Sequence, residues 1–399
     1  MMREKLQAWW WRKQGLDGSL QGASPAAVLQ RSGWARSVGG VGPYLTLFSR
    51  GGINRADADG AVASLDIHEL PAARGCTYVV PARDYALALT LAHEFGDSEM
   101  RVARKLGVTD DEIERLGDAI VQAVVKRGGP MQPDALRDAT AGSWRSMGEE
   151  GRKKGITTTL PVALGILQTR GRIRRVPVDG RIDQQRYAYA AWEPNPLAAP
   201  VSVEGARTEL ARRFFEWVGP ATLAELQWFS GLGARVVKQA VEPLGLVSAG
   251  AEDRLLLPGD LESWEDFGPP TDPEYALVSS LDAISATRRD VRGLLGGGDS
   301  DREVFVEKNT RPMGGLNDLP SHAILDRGRL IGLWEYDPEA GEIVWALLGG
   351  KADQALRDVV ERTQSFVRDQ LGDARAFSLD SPKSRRPRMD ALRKMARGV

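Results

Sequence analysis

Three features of the sequence predict an α+β chain built from helical modules, two of them closed by a two-stranded hairpin. Helix-period stretches fill most of the chain to about residue 245. Two of these stretches end in paired alternating segments, and strand patterning with turns takes over from about residue 269. At 399 residues the chain is too long for one ordinary core, so several modules are expected.

The modules follow in order. In the first, Glu4–Gln14 reads as a helix, and Ser24 caps a second that opens at Pro25. The glycine-rich connection Ser37–Pro43 leads into a helix over Tyr44–Arg50, Cys76–Val80 is a short strand, and Pro81–Phe95 is amphipathic. The second module opens a helix at the capping box Thr109–Glu112, with Ile113, Leu116, Ile120 and Val124 on one face. Gln132–Ala139 and Thr158–Thr169 follow. Gly171–Val178 and Arg186–Trp192 then alternate around a turn at Asp179 and Gly180. The third module repeats this order with Glu204–Val218, Leu223–Phe229 behind the Thr222 cap, Ala234–Glu242, and a hairpin of Leu246–Ser248 with Arg254–Leu257.

Three helices and a hairpin is the winged-helix order. The expected fold is therefore tandem winged-helix (helix-turn-helix) modules at residues 1–96, 97–196 and 197–265. An antiparallel, β-barrel-like domain at residues 266–399 completes it, with strands at Glu303–Glu307, His322–Asp326, Arg329–Tyr336, Glu342–Leu347 and Ala376–Leu379, a helix over Lys351–Leu371 and a basic tail.

Formal net charge is −1, yet the charges are segregated. Arg145–Arg186 holds ten Lys/Arg against four Asp/Glu, while Glu252–Glu303 holds thirteen acidic against five basic residues. Such a distribution suits one face built for an anionic partner. The expected contacts to double-stranded DNA are Arg36, Arg50, Lys153, Lys154, Arg170, Arg172, Arg174, Arg175, Arg181 and Arg186. On a strand Arg172 and Arg174 share one face, with Ile173 and Val176 toward the core. Guanidinium groups offer paired donors to phosphate, and Lys153 and Lys154 precede a helix start whose free N–H groups favour anions.

Cys76 is the only cysteine, and His68, His93 and His322 show no ligand spacing, so neither a disulfide nor a metal or cofactor site is expected. The N-terminus resembles neither a signal peptide nor a membrane span, which points to a cytoplasmic protein, expected to be monomeric. Trp9, Trp10 and Trp11 are adjacent and cannot all face one helical core; one or two should pack between modules or meet a ligand.

Several segments together resemble the winged-helix DNA glycosylases of the AlkZ/YcaQ type, which remove alkylated or crosslinked purines. Arg74 and Gly75 followed by Tyr78–Asp84 are similar to the family's Arg-Gly-Thr-x-His segment. Gly219–Thr222 with Trp228 resembles its third winged helix, and Asp326–Trp334 its C-terminal barrel. The resemblance implies a Gln-x-Gln or Gln-x-Asp motif that positions water for attack at the sugar C1′. Alignment on Pro43, Tyr44 and Arg50 places Arg36, Ser37 and Val38 there, and the Thr-x-His element reads Cys76, Thr77, Tyr78. Hydrolysis of an N-glycosidic bond needs an acceptor or carboxylate at that point. Arg36 only donates and carries positive charge. The expectation is a DNA-binding architecture whose glycosylase chemistry is lost, altered or moved, acting on duplexes that include alkylated ones. The alternative is a non-catalytic DNA-binding protein, either lesion sensor or regulator.

Overall fold

The computed structural model describes residues 2–95, 97–199, 201–251 and 253–397. The N-terminal helix Met2–Lys13 buries Trp9, Trp10 and Trp11 together, against expectation. Adjacent positions can all be interior because the helix is clasped on several sides. Trp9 and Trp10 donate to the carbonyls of Gly219 and Pro220 at 3.0 and 3.2 Å, and Trp11 donates to Glu274 at 2.7 Å. The polar edge of each indole is thus satisfied while its body packs in the core.

A three-stranded antiparallel sheet follows, with Thr77–Pro81 between Ala35–Arg36 and Ile67–Pro71. Alternation along these strands gives the sheet two apolar faces. Ala35, Ile67 and Val79 join a core with helices Gly42–Gly51 and Arg55–Ala63. Leu70, Tyr78 and Val80 join a second core with helices Tyr85–Phe95 and Val203–Val218. Sheet and third unit are therefore packed on one another.

The second unit has five helices rather than three: Asp97–Lys105, Asp110–Arg127, Pro133–Ala139, Gly148–Lys153 and Leu160–Thr169. Thr109 caps the second of these by accepting from the Glu112 N–H. The hairpin Ile173–Pro177 with Tyr187–Ala191 closes the unit, in register from Ile173 opposite Ala191 to Pro177 opposite Tyr187. In the third unit Thr222 and Glu225 form a complete capping box at the start of Leu223–Ser230. Its hairpin is only Val247–Ser248 with Leu255–Leu256.

The C-terminal region is not a closed barrel. Four strands form an open antiparallel sheet in the order Glu342–Leu347, Arg329–Asp337, His322–Asp326, Tyr275–Val278, and Glu303–Val306 pairs separately with Asn309–Pro312. The sheet need not close, because helix Pro382–Arg397 packs on one pair of strands and helix Gln354–Phe366 packs by Tyr275–Val278. Ala376–Leu379 is a turn rather than a strand, with Ser378 N–H donating to the Val38 carbonyl. The expected basic tail is the docked helix Pro382–Arg397, in which Arg385 is fully buried.

Arg50, expected at a DNA surface, lies in the interior. Its guanidinium makes a bidentate pair with Asp282 at 2.7 and 2.8 Å, both side chains being fully buried. Nε donates to the Gln14 carbonyl and Nη2 also to Gln14 Oε1. Every part of the guanidinium is satisfied, which is the condition for burying it.

Two measurements check this packing. Arg50→Met leaves Asp282 uncompensated and is expected to lower unfolding stability by about 3–5 kcal/mol in urea denaturation. His322 accepts from the Ser280 N–H at Nδ1 and donates from Nε2 to the Ala374 carbonyl, and burial holds its pKa down to about 4. The folded state keeps this ring neutral while the unfolded chain protonates it below about 6.5. Stability from this group is therefore full above that pH and is lost as pH falls toward 4, by roughly 3 kcal/mol. Buried Glu69 and Glu335, whose pKa values burial raises, act in the opposite sense. The histidine part is read as a flatter melting-temperature-against-pH curve in His322→Gln between pH about 6.5 and 4.

Candidate nucleic-acid interface

A cleft of about 150 Å³ opens between the first sheet, helix Leu223–Ser230 and the turn after strand Tyr275–Val278. Its aromatic wall is Trp34, Tyr78, Trp228 and Phe229. Sheet register sets its base: Arg36 stands directly opposite Tyr78 and its guanidinium lies 5.2 Å from that ring's centre. Arg36 Nη1 is buried with no hydrogen-bond partner.

Two further guanidinium groups lie over the Trp228 ring, that of Arg74 at 3.8 Å and that of Arg289 at 4.0 Å. Both come from residues with left-handed backbone, φ 58° at Arg74 and 56° at Arg289. Such conformations are costly for side chains of this kind and persist where the surroundings enforce them. Gly231 supplies part of that enforcement, since a Cβ there would stand 2.7 Å from Arg74 Cγ. Asp318 is the one carboxylate lining the cleft among the described residues, and it is exposed and paired with Arg289 at 3.0 Å. The cleft is positive and aromatic.

The residues at the motif position divide between two faces. Arg36 points to the cleft, whereas Ser37 is buried and its N–H donates to the Thr77 carbonyl. Val38 is half-buried; a Cβ on Gly39 would stand 2.7 Å from the Gln185 side chain, and one on Gly40 would stand 2.1 Å from the Ala376 oxygen. The glycine-rich connection serves close packing against residues 375–378. Cys76 is half-buried beside Arg74, and Thr77 lies within the sheet.

Glu69 is buried on the Ser37 side of the sheet with neither oxygen in hydrogen-bond geometry. Burial raises its pKa, against the pull of Arg175 and of the hydroxyls of Tyr187 and Ser37. His68 beside it is held down to about 3 by burial and then by Arg174 and Arg175. These neighbours place the Arg-rich hairpin against the first sheet.

The hairpin arginines consequently differ in what they can reach. Arg174 and Arg175 are half-buried, and Arg175 lies 5.0 Å over Tyr187. Arg181 is bound to buried Asp183 at 2.6 Å and to the Leu371 carbonyl, so its charge is used inside the protein rather than at an outer surface. Arg170 and Arg172 pair with Glu114 and Asp118 on helix Asp110–Arg127 at 2.5 and 2.9 Å, in partly exposed pairs. Lys153 and Arg186 are exposed, as is Lys154, which pairs with Glu150 at 3.3 Å. Thus Arg36 alone of the expected DNA-binding residues lines the cleft, and the others lie elsewhere.

Sequence reasoning missed Arg74, Trp228 and Arg289 as a group. Arg74 and Trp228 stand in segments that carry the resemblance, and Arg288–Arg289 is a basic pair inside an acidic stretch. Neither signal says that the two arginines meet over one indole.

The whole arrangement is similar to a solved structure, the Streptomyces sahachiroi DNA glycosylase AlkZ, with a TM-score of 0.68 over 94% of this chain and 98% of that one. Sequence identity is 17%, so this likeness speaks for the fold. No curated protein matches. A family model described as DNA glycosylase AlkZ-like matches residues 40–366, a span that begins after Arg36–Val38 and includes Arg74, Tyr78, Trp228 and Arg289. With most of its length matched, the chain belongs to the AlkZ-like DNA glycosylase family.

Proposed function

We propose that this protein binds double-stranded DNA through winged-helix modules, divided near residues 96, 196 and 265, and senses damaged nucleotides at the Arg36 cleft without efficient excision. The DNA partner is supported by the family, by the exposed Lys153, Lys154 and Arg186, and by the partly exposed Arg172. The observation that carries the reading on excision is Arg36 itself. Base loss passes through an oxocarbenium-like sugar. A guanidinium at roughly 6 Å opposes a unit positive charge by about 3 kcal/mol at an effective dielectric near 20. The cleft also lacks an unpaired carboxylate, among the described residues, to orient water. Excision is the second reading, favoured by the family match.

A labelled duplex with and without N7-methylguanine, scored together for retention and for abasic sites, separates the two. Retention without base release is expected; release at a rate set by the protein would establish a glycosylase. Salt dependence checks the surface. Substituting Lys153, Lys154, Arg172 and Arg186 by Ala should weaken duplex binding and flatten the log K against log salt line, by about 0.9 for each phosphate no longer neutralised. Arg181→Ala should leave that slope unchanged and lower the melting temperature instead, because Arg181 is tied to Asp183. An unchanged slope in the fourfold variant would remove these four residues from the interface.

A further inference from the structure

The aromatic cleft has a charge pattern suited to one class of ligand. Arg36 enters from the sheet and Arg74 from the turn before strand Thr77–Pro81, while Arg289 lies over Trp228 outside the cleft lining. Arg74 has only long hydrogen bonds, 3.4 Å to the Trp228 carbonyl and 4.0 Å to Cys76 Sγ, so much of its donor set is unspent. Arg36 Nη1 is unspent as well. Guanidinium donors left open beside aromatic rings favour a nucleotide phosphate. Left-handed backbone at both Arg74 and Arg289 indicates that the pair is held over Trp228 despite a local conformational penalty.

We infer that the cleft is a nucleotide-phosphate site: Arg36 and Arg74 hold the phosphate of a nucleotide displaced from the duplex, beside the aromatic wall of the cleft. Arg289 lies over Trp228 and is itself paired with Asp318. The inference rests on the DNA-binding reading above and deepens it. The cleft selects by negative charge, and a positive charge on the sugar works against binding.

The test uses the full chain and duplexes with a central tetrahydrofuran abasic site. In separate duplexes one or other phosphate flanking that site is replaced by an uncharged methylphosphonate. Wild-type protein is expected to bind about tenfold more weakly at one of the two positions, as when a charge-assisted hydrogen bond is removed. The double variant Arg36→Gln, Arg74→Gln should bind the substituted and unsubstituted duplexes alike, with an unchanged melting temperature. In a parallel comparison, wild type should not prefer a cationic pyrrolidine site over tetrahydrofuran, and Arg36→Gln should shift the ratio toward the cation. Equal wild-type affinity for all the phosphate variants would overturn the inference while leaving DNA binding intact. So would a double variant that stays sensitive, or a wild-type preference of about tenfold for pyrrolidine, the mark of a site complementary to an oxocarbenium ion. Failure to retain any duplex at low salt would overturn the DNA-binding reading, and the inference with it.

Discussion

The buried pair between Arg50 and Asp282 fixes the position of everything that surrounds the cleft. Asp282 has two duties: it takes both arms of the guanidinium, and it caps helix Ala283–Ala286 through the Ile284 N–H. Arg50 closes helix Gly42–Gly51 and reaches back to Gln14 at the end of the N-terminal region. One interaction thus joins the start of the chain, the helix behind the motif position and the turn that carries Ala283, Ala286 and Thr287 into the cleft wall. A buried pair of this kind adds little net stability over apolar packing, yet it allows only one geometry. Position is its contribution here.

Positional control of that kind explains how a chain of almost zero net charge can hold a strongly positive cleft. The acidic groups are not absent from the neighbourhood; they are occupied. Asp282 is held by Arg50, Asp318 by Arg289, and Glu225 by Arg254 together with its capping role. Arg288, next to Arg289, turns the other way, lies 3.3 Å over Trp10, and has its pKa held down to about 10 by burial. Neighbouring arginines therefore serve different ends: one fastens the N-terminal tryptophan helix, the other flanks Trp228. The hairpin shows the same division, since Arg174 and Arg175 turn toward the first sheet while Arg186 stays in solvent.

Much of the local structure is legible in the sequence. Ser24, Thr109 and Thr222 each cap the helix that their position indicates, because a cap joins residues three apart. The hairpin at Ile173–Ala191 follows from alternation and the Asp179–Gly180 turn. Barrel closure does not follow, because it depends on whether the strands Tyr275–Val278 and Glu342–Leu347 meet, and alternation within a strand carries no information on its distant partners. Helix Pro382–Arg397 reads only as a basic tail, since its charge pattern gives no sign of the buried carboxylates that receive it: Arg388 meets Glu335 and Asp380.

Sequence alone determined the helix starts, the α+β class, the segregation of charge, and the presence of an arginine where the family resemblance implies an acceptor. Each of these is set within a few residues of chain. Tertiary structure decided which arginines are spent and which are open. Arg50 and Arg181 look as suitable for phosphate as Arg36 does, but the first is enclosed by Asp282 and Gln14 and the second by Asp183 and Leu371. Arg74 and Arg289, more than two hundred residues apart, come together over Trp228 only when the first sheet, helix Leu223–Ser230 and the turn at Asp282 are packed. The physical reason is that a guanidinium carries the same charge everywhere, whereas its availability depends on which carboxylates and carbonyls the fold places within about 3 Å of it.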